Sequence, residues 1–100
     1  MTIAFDIDGT WSLEPRLFRS VADSFTAAGW SVIIATGRQQ PPDKLIALHL
    51  SCFPIIVSGP LLKEEAARRA GYKVDVWVDD MPGMIQRTAI IGEPADDSKL

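Results

Sequence analysis

Short apolar runs rich in β-branched residues alternate along this chain with stretches of helical spacing. Ile3 to Ile7 is apolar except at Asp6. Ser31 to Thr36 reads Ser-Val-Ile-Ile-Ala-Thr, Pro54 to Ser58 reads Pro-Ile-Ile-Val-Ser, and Val74 to Val78 reads Val-Asp-Val-Trp-Val. Each has the length of a strand and residue types that suit a pleated, buried surface. A fifth run, Thr88 to Ile91, is a candidate edge strand. Between the first two runs, Leu17, Phe18, Val21, Ala22, Phe25 and Ala28 recur as one apolar helix face, with Pro15 suited to the first turn and Gly29 to the position just past the end. Pro42 to Leu50, with Leu45, Ile46, Leu48 and Leu50, and Leu61 to Ala70, with the pairs Glu64/Arg68 and Glu65/Arg69 before Gly71, read as crossover helices.

Strands alternating with helices predict a three-layer α/β/α sandwich around a mainly parallel, Rossmann-like sheet of about five strands, joined by right-handed crossovers. One core spanning residues 1–92 is expected, followed by a polar, acidic tail from Glu93 to Leu100 that frays. In such sheets ligands gather beyond the carboxyl ends of the strands, so the residues just past each run are where chemistry is expected.

Composition narrows the class. Hydrophobic residues make up 47% of the 100, enough for a core and unlike a disordered chain. Ten Lys and Arg against thirteen Asp and Glu give a formal charge of −3, so no bulk attraction draws the protein to nucleic acid or anionic lipid. Cys52 is the only cysteine, which excludes an internal disulfide and a cysteine-built zinc site and fits a reducing compartment. No apolar segment approaches the ~20 residues of a membrane span, and the N-terminus has no leader pattern, so a cytoplasmic location is the expectation.

The strand ends carry Asp6-Ile7-Asp8-Gly9-Thr10, Thr36-Gly37-Arg38 and Asp79-Asp80. Strand alternation puts Asp6 and Asp8 on one side, and Gly9 lets the chain leave the sheet. Clustered carboxylates repel unless a cation joins them. Oxygen donors without His or Cys suit a hard cation, and Mg²⁺ takes few carboxylates plus a substrate phosphate. A carboxylate nucleophile, a metal and a second acid able to move a proton are the parts of a phosphoryl-transfer site.

Phe5-Asp6-Ile7-Asp8-Gly9-Thr10 resembles the first motif of the haloacid dehalogenase (HAD) superfamily, the aspartate-nucleophile phosphohydrolases. Ile34-Ala35-Thr36-Gly37-Arg38 resembles the second motif, Lys63 at a helix start the third, and Val78-Asp79-Asp80 the fourth; together they span nearly the whole chain. The resemblance implies a HAD-like fold and a magnesium-dependent phosphatase. It implies that Asp6 forms an aspartyl-phosphate, and that Asp8 protonates the leaving group and then activates water. The Asp8 backbone carbonyl joins the metal shell, and Asp79 and Asp80 complete it directly or through water. Thr36, with Gly37 beside it, meets the transferring phosphoryl group, Lys63 holds the charge of nucleophile and phosphate, and Arg38 is a further candidate phosphate or substrate contact.

Most relatives carry a cap between the first and second or the second and third motifs. Here Thr10 to Thr36 leaves room for one helix and a turn, and Arg38 to Lys63 for one helix and one strand, so a capless, minimal site is expected. Such a site admits a phosphorylated small molecule, a polymer end or a phosphoprotein, or borrows a lid from a second subunit. His49 sits on the second crossover helix away from every strand end and is given no role. Trp11, Trp30 and Trp77 are packing candidates, with Trp11 also placed to touch a leaving group. Two other readings compete: a receiver-like phosphoacceptor, and a scaffold that only binds a partner. Receivers place adjacent acids at the first strand and the lysine at the last, whereas here Lys63 precedes the adjacent pair Asp79-Asp80.

Overall fold

The computed structural model describes residues 1–37 and 52–85. Four strands, β1 (Thr2–Phe5), β2 (Ser31–Thr36), β3 (Ile55–Val57) and β4 (Val76–Val78), form one all-parallel sheet in the order β3-β2-β1-β4. Phe5 stands opposite Ile34 on one side and Val78 on the other. Two helices, α1 (Pro15–Ala27) and α2 (Lys63–Arg69), a wide helical turn at Ile7–Trp11 and a tight turn at Pro82–Met84 complete the described elements.

Alternation along the two central strands divides the core in two. Ile3, Phe5, Val32 and Ile34 face α1, where Ala22 is fully buried and Phe18, Val21 and Phe25 pack beside it; Ala4, Ile33 and Ala35 face α2 and its buried Ala67. A helix thus covers each face of the sheet, as the apolar runs demand. Phe5 is fully buried, with its ring edge-on to Trp11 at 5.6 Å and to Phe18 at 6.0 Å. Removing a ring from such a position costs about 3–5 kcal/mol.

Trp11 is therefore a core residue, packed on Phe5, Phe18 and Phe53. Its place among these rings leaves it out of the cleft described below.

Both helices stop as their glycines predict. Gly29 and Gly71 hold φ of +89° and +96°. In each case the next residue, Trp30 or Tyr72, donates its N–H back five residues, to Phe25 and Ala67 respectively. The glycine N–H meanwhile donates to Thr26 or Arg68, completing the paired bonds that satisfy a helix end. Trp30 also closes its ring on Phe25, centroids 5.0 Å apart.

The sheet differs from expectation at its sides. All the apolar runs suggest strands buried on both faces, but that holds for β1 and β2; β3 is half-buried and Val76 of β4 is exposed, because each is an outer strand among the described residues. The fifth run at Thr88 to Ile91, the helix at Pro42 to Leu50 with His49, Arg38 and the tail lie outside the described residues. Among the described residues no helix is long and apolar enough to cross a membrane.

Candidate active site

Strand order reverses at β1, whose neighbours are β2 on one side and β4 on the other. A cleft of about 280 Å³ opens there, beyond the carboxyl ends of β1 and β4, and its charged wall is Asp6, Asp8, Lys63, Asp79 and Asp80. Gly37, Met81 and Met84 form the rest of its lining.

Each residue arrives by a traceable route. Asp6 follows β1 directly and extends its pairing, donating its N–H to the Val78 carbonyl at 3.0 Å. The chain then makes a wide turn: Asp8 is extended (φ −72°, ψ 127°), Gly9 swings to φ +77°, and the N–H groups of Trp11 and Ser12 return to the carbonyls of Asp6 and Ile7 at 3.2 and 2.9 Å. Gly9 is needed twice over. Its backbone is left-handed, and a Cβ on it would collide with the Asp80 carboxylate.

Lys63 opens α2 and is 3% exposed. Its Nζ donates to Asp6 Oδ1 at 2.8 Å and to Asp79 Oδ2 at 2.6 Å. Burial alone would lower its pKa; the hydrogen bonds to Asp6 and Asp79, with the charge of both, outweigh that and hold it above the ordinary 10.5. Lys63 is a fixed cation at neutral pH. Asp6 is 6% exposed, and burial pushes its pKa above the ordinary 3.8. The Lys63 hydrogen bond and charge pull it back, while the Asp79 charge and a hydrogen bond with Asp80 push it up again. A cation brought among these oxygens acts in the lowering direction.

Four carboxylates face one ammonium here. Asp6, Asp79 and Asp80 each offer an oxygen within 4.8 Å of the others, a group that could hold a metal ion. The donor set, all carboxylate, fits a hard divalent cation. The oxygens are not equivalent: Asp79 spends Oδ2 on Lys63 and accepts the Met81 N–H on Oδ1 at 2.9 Å. Asp6 gives Oδ1 to Lys63 but keeps on Oδ2 only the longer Thr10 contact at 3.4 Å, so Asp6 Oδ2 and Asp80 are less committed than the Asp79 oxygens, with Asp79 orienting Lys63 behind them. The Asp8 carboxylate lines the cleft but is not one of the three; its expected share in the metal shell is through its backbone carbonyl.

No family model, curated protein or solved structure matches this chain. The chemistry of the cleft has to be read from its own residues.

Asp6, Asp8, Lys63, Asp79, Asp80 and Gly37 of the predicted set all come to one cleft. Thr36 does not reach its lining. It is fully buried at the end of β2, its carbonyl accepting both the N–H (2.9 Å) and the hydroxyl (3.1 Å) of Ser58. Strand alternation explains this: Thr36 shares the α1 side with Val32 and Ile34, whereas Asp6 shares the α2 side with Ala4.

Three kinds of residue were not foreseen. The Thr10 hydroxyl lies 3.4 Å from Asp6 Oδ2, and Ser12 Oγ accepts the Gly9 N–H at 3.2 Å, so both steady the turn that carries the acids. A hydroxyl four or three residues from the residue it serves is the available signal, readable only once the turn is known. Met81 and Met84 carried no chemical signal at all.

Proposed function

We propose that the protein is a magnesium-dependent phosphomonoesterase of the HAD type that works through an aspartyl-phosphate on Asp6. The observation that carries this reading is the Lys63 ammonium, buried and 2.8 Å from Asp6, in a cleft that also receives Asp8, Asp79 and Asp80. That arrangement holds a buried carboxylate beside a fixed positive charge, with a second acid exposed to the same space.

Asp6 and Asp80 would hold Mg²⁺ with the Asp8 carbonyl, and the ion supplies charge neutralisation for phosphoryl oxygens entering an acidic cleft. The Asp6 carboxylate attacks phosphorus, the bond from phosphorus to the ester oxygen breaks, and protonated Asp8 gives its proton to that oxygen as the alcohol departs. Asp8, now a carboxylate, takes a proton from water. The water oxygen attacks the phosphorus of the aspartyl-phosphate, the bond to Asp6 breaks, and inorganic phosphate and a free Asp6 carboxylate result. Lys63 keeps Asp6 oriented throughout and offsets negative charge as it gathers.

The connection from β1 to β2 holds only the wide turn and α1, so no cap enters between those two strands. This supports a capless reading. Release of p-nitrophenol from p-nitrophenyl phosphate tests the assignment. Turnover is expected with Mg²⁺, to vanish with chelator and in Asp6→Asn, and to fall by about 10²–10⁴ in Asp8→Asn, the usual share of a general acid-base group. A wild-type protein inert under varied divalent metals and pH would instead favour a binding or phosphoacceptor role.

A further inference from the structure

Two of the large apolar side chains exposed on the described residues, Met81 (59%) and Met84 (41%), stand in the wall of this acidic cleft. Single exposed apolar residues are ordinary, so their placement, more than their exposure, calls for explanation.

The segment that carries them is anchored at both ends to the site. At its start the Met81 N–H donates to Asp79 Oδ1 at 2.9 Å, the same carboxylate that holds Lys63. At its end the Ile85 carbonyl accepts the Glu64 N–H at 2.8 Å, one residue after Lys63, and Ile85 itself is buried. Between the anchors, the N–H groups of Met84 and Ile85 close on the carbonyls of Met81 and Pro82 at 2.9 and 3.0 Å. The Met84 methyl reaches across the cleft toward β2: a Cβ on Gly37 would lie 3.7 Å from it and 3.9 Å from the Lys63 Cε. The backbone is therefore held by the Asp79 carboxylate at one end and the Glu64 backbone N–H at the other, while Met81 and Met84 stay partly exposed.

We propose that Met81 and Met84 form the wall against which the leaving group lies, and that they select phosphomonoesters whose leaving group presents an apolar or aromatic surface over hydroxyl-rich ones. The inference rests on the phosphomonoesterase reading. A phosphoryl group drawn to Asp6 and Lys63 has its ester substituent directed out of the cleft, where it meets apolar, polarisable side chains that favour contact with aromatic rings and offer little to hydroxyls. Desolvating a sugar-like group against them would leave its hydroxyls without partners.

The test compares benzyl phosphate with glycerol phosphate, both esters of simple alcohols, as a ratio of kcat/KM. The wild type should prefer the benzyl ester. The ratio should drop by about tenfold or more in Met81→Ser with Met84→Ser, the loss falling on KM for the benzyl ester, and should be kept in Met81→Leu with Met84→Leu. Equal efficiency toward the two esters, or a preference that survives the serine changes, overturns the wall and leaves the phosphatase reading standing. No hydrolysis of either ester by the wild type overturns both.

Discussion

Lys63 Nζ lies 2.8 Å from Asp6 Oδ1, joining the start of a helix to the end of the first strand across a separation of 57 residues. With its second bond to Asp79, the lysine ties the start of α2 to the ends of the paired strands β1 and β4. Its removal leaves two buried carboxylates facing each other. In chelator, Lys63→Met should lower stability to urea by about 3–5 kcal/mol, the scale for breaking a buried pair from one side. Since the folded pKa of Lys63 is raised above 10.5, its contribution is complete below that pH and is lost as pH rises through the folded value. The gap between wild type and Lys63→Met should accordingly be constant near neutrality and close at strongly alkaline pH. A gap that does not move with pH contradicts this.

Asp6 has the opposite relation to stability. Its pKa is raised, so the stabilisation linked to its proton is present below the ordinary 3.8 and lost as pH rises through the folded value; at neutral pH its charge is a burden on the metal-free fold. Asp6→Asn should unfold at an equal or higher temperature than the wild type in chelator, though without activity. Such a trade between stability and function is common where charges are gathered for chemistry.

The close pass of Gly9 and Asp80 predicts the behaviour of Gly9→Ala. A methyl group there meets the Asp80 carboxylate while the backbone is forced to keep φ +77°, a left-handed cost of roughly 1–2 kcal/mol. Asp80 must shift, so Mg²⁺ affinity measured by calorimetry should fall together with stability. Retained affinity would mean that Asp80 is not a ligand.

Much of this was legible from the sequence. The central strands declared themselves by Val, Ile and Ala, both helix ends by glycines followed by Trp30 and Tyr72, and five charged residues by their position just past a strand or at a helix start. Thr36, which is not among the residues lining the cleft, shows the limit. Lying just past an apolar run says which end of the sheet a residue occupies, but the face depends on parity within the strand, and Thr36 and Asp6 differ in it. Met81 and Met84 were illegible for a different reason. The segment that carries them is placed by the Met81 N–H on Asp79 and the Glu64 N–H on the Ile85 carbonyl, which no local pattern announces.

Asp79 and Asp80 are adjacent in sequence yet should respond differently. Asp80→Asn should weaken Mg²⁺ binding with little change in metal-free stability, since Asp80 is exposed. Asp79→Asn, which loses the charge beside Lys63 and disturbs the anchor on Met81, should lower metal-free stability by about 1–3 kcal/mol. Paired calorimetry and urea unfolding separate the two; the reverse pattern would exchange their roles.

The covalent step on Asp6 is the centre of the account, and the stereochemical course at phosphorus tests it most directly. A phosphomonoester made chiral with oxygen isotopes is turned over, and the configuration of the phosphoryl group passed to an acceptor alcohol is read by NMR. Two successive in-line displacements, onto Asp6 and off it, predict net retention. Inversion would mean a single direct attack and would contradict the role given to Asp6.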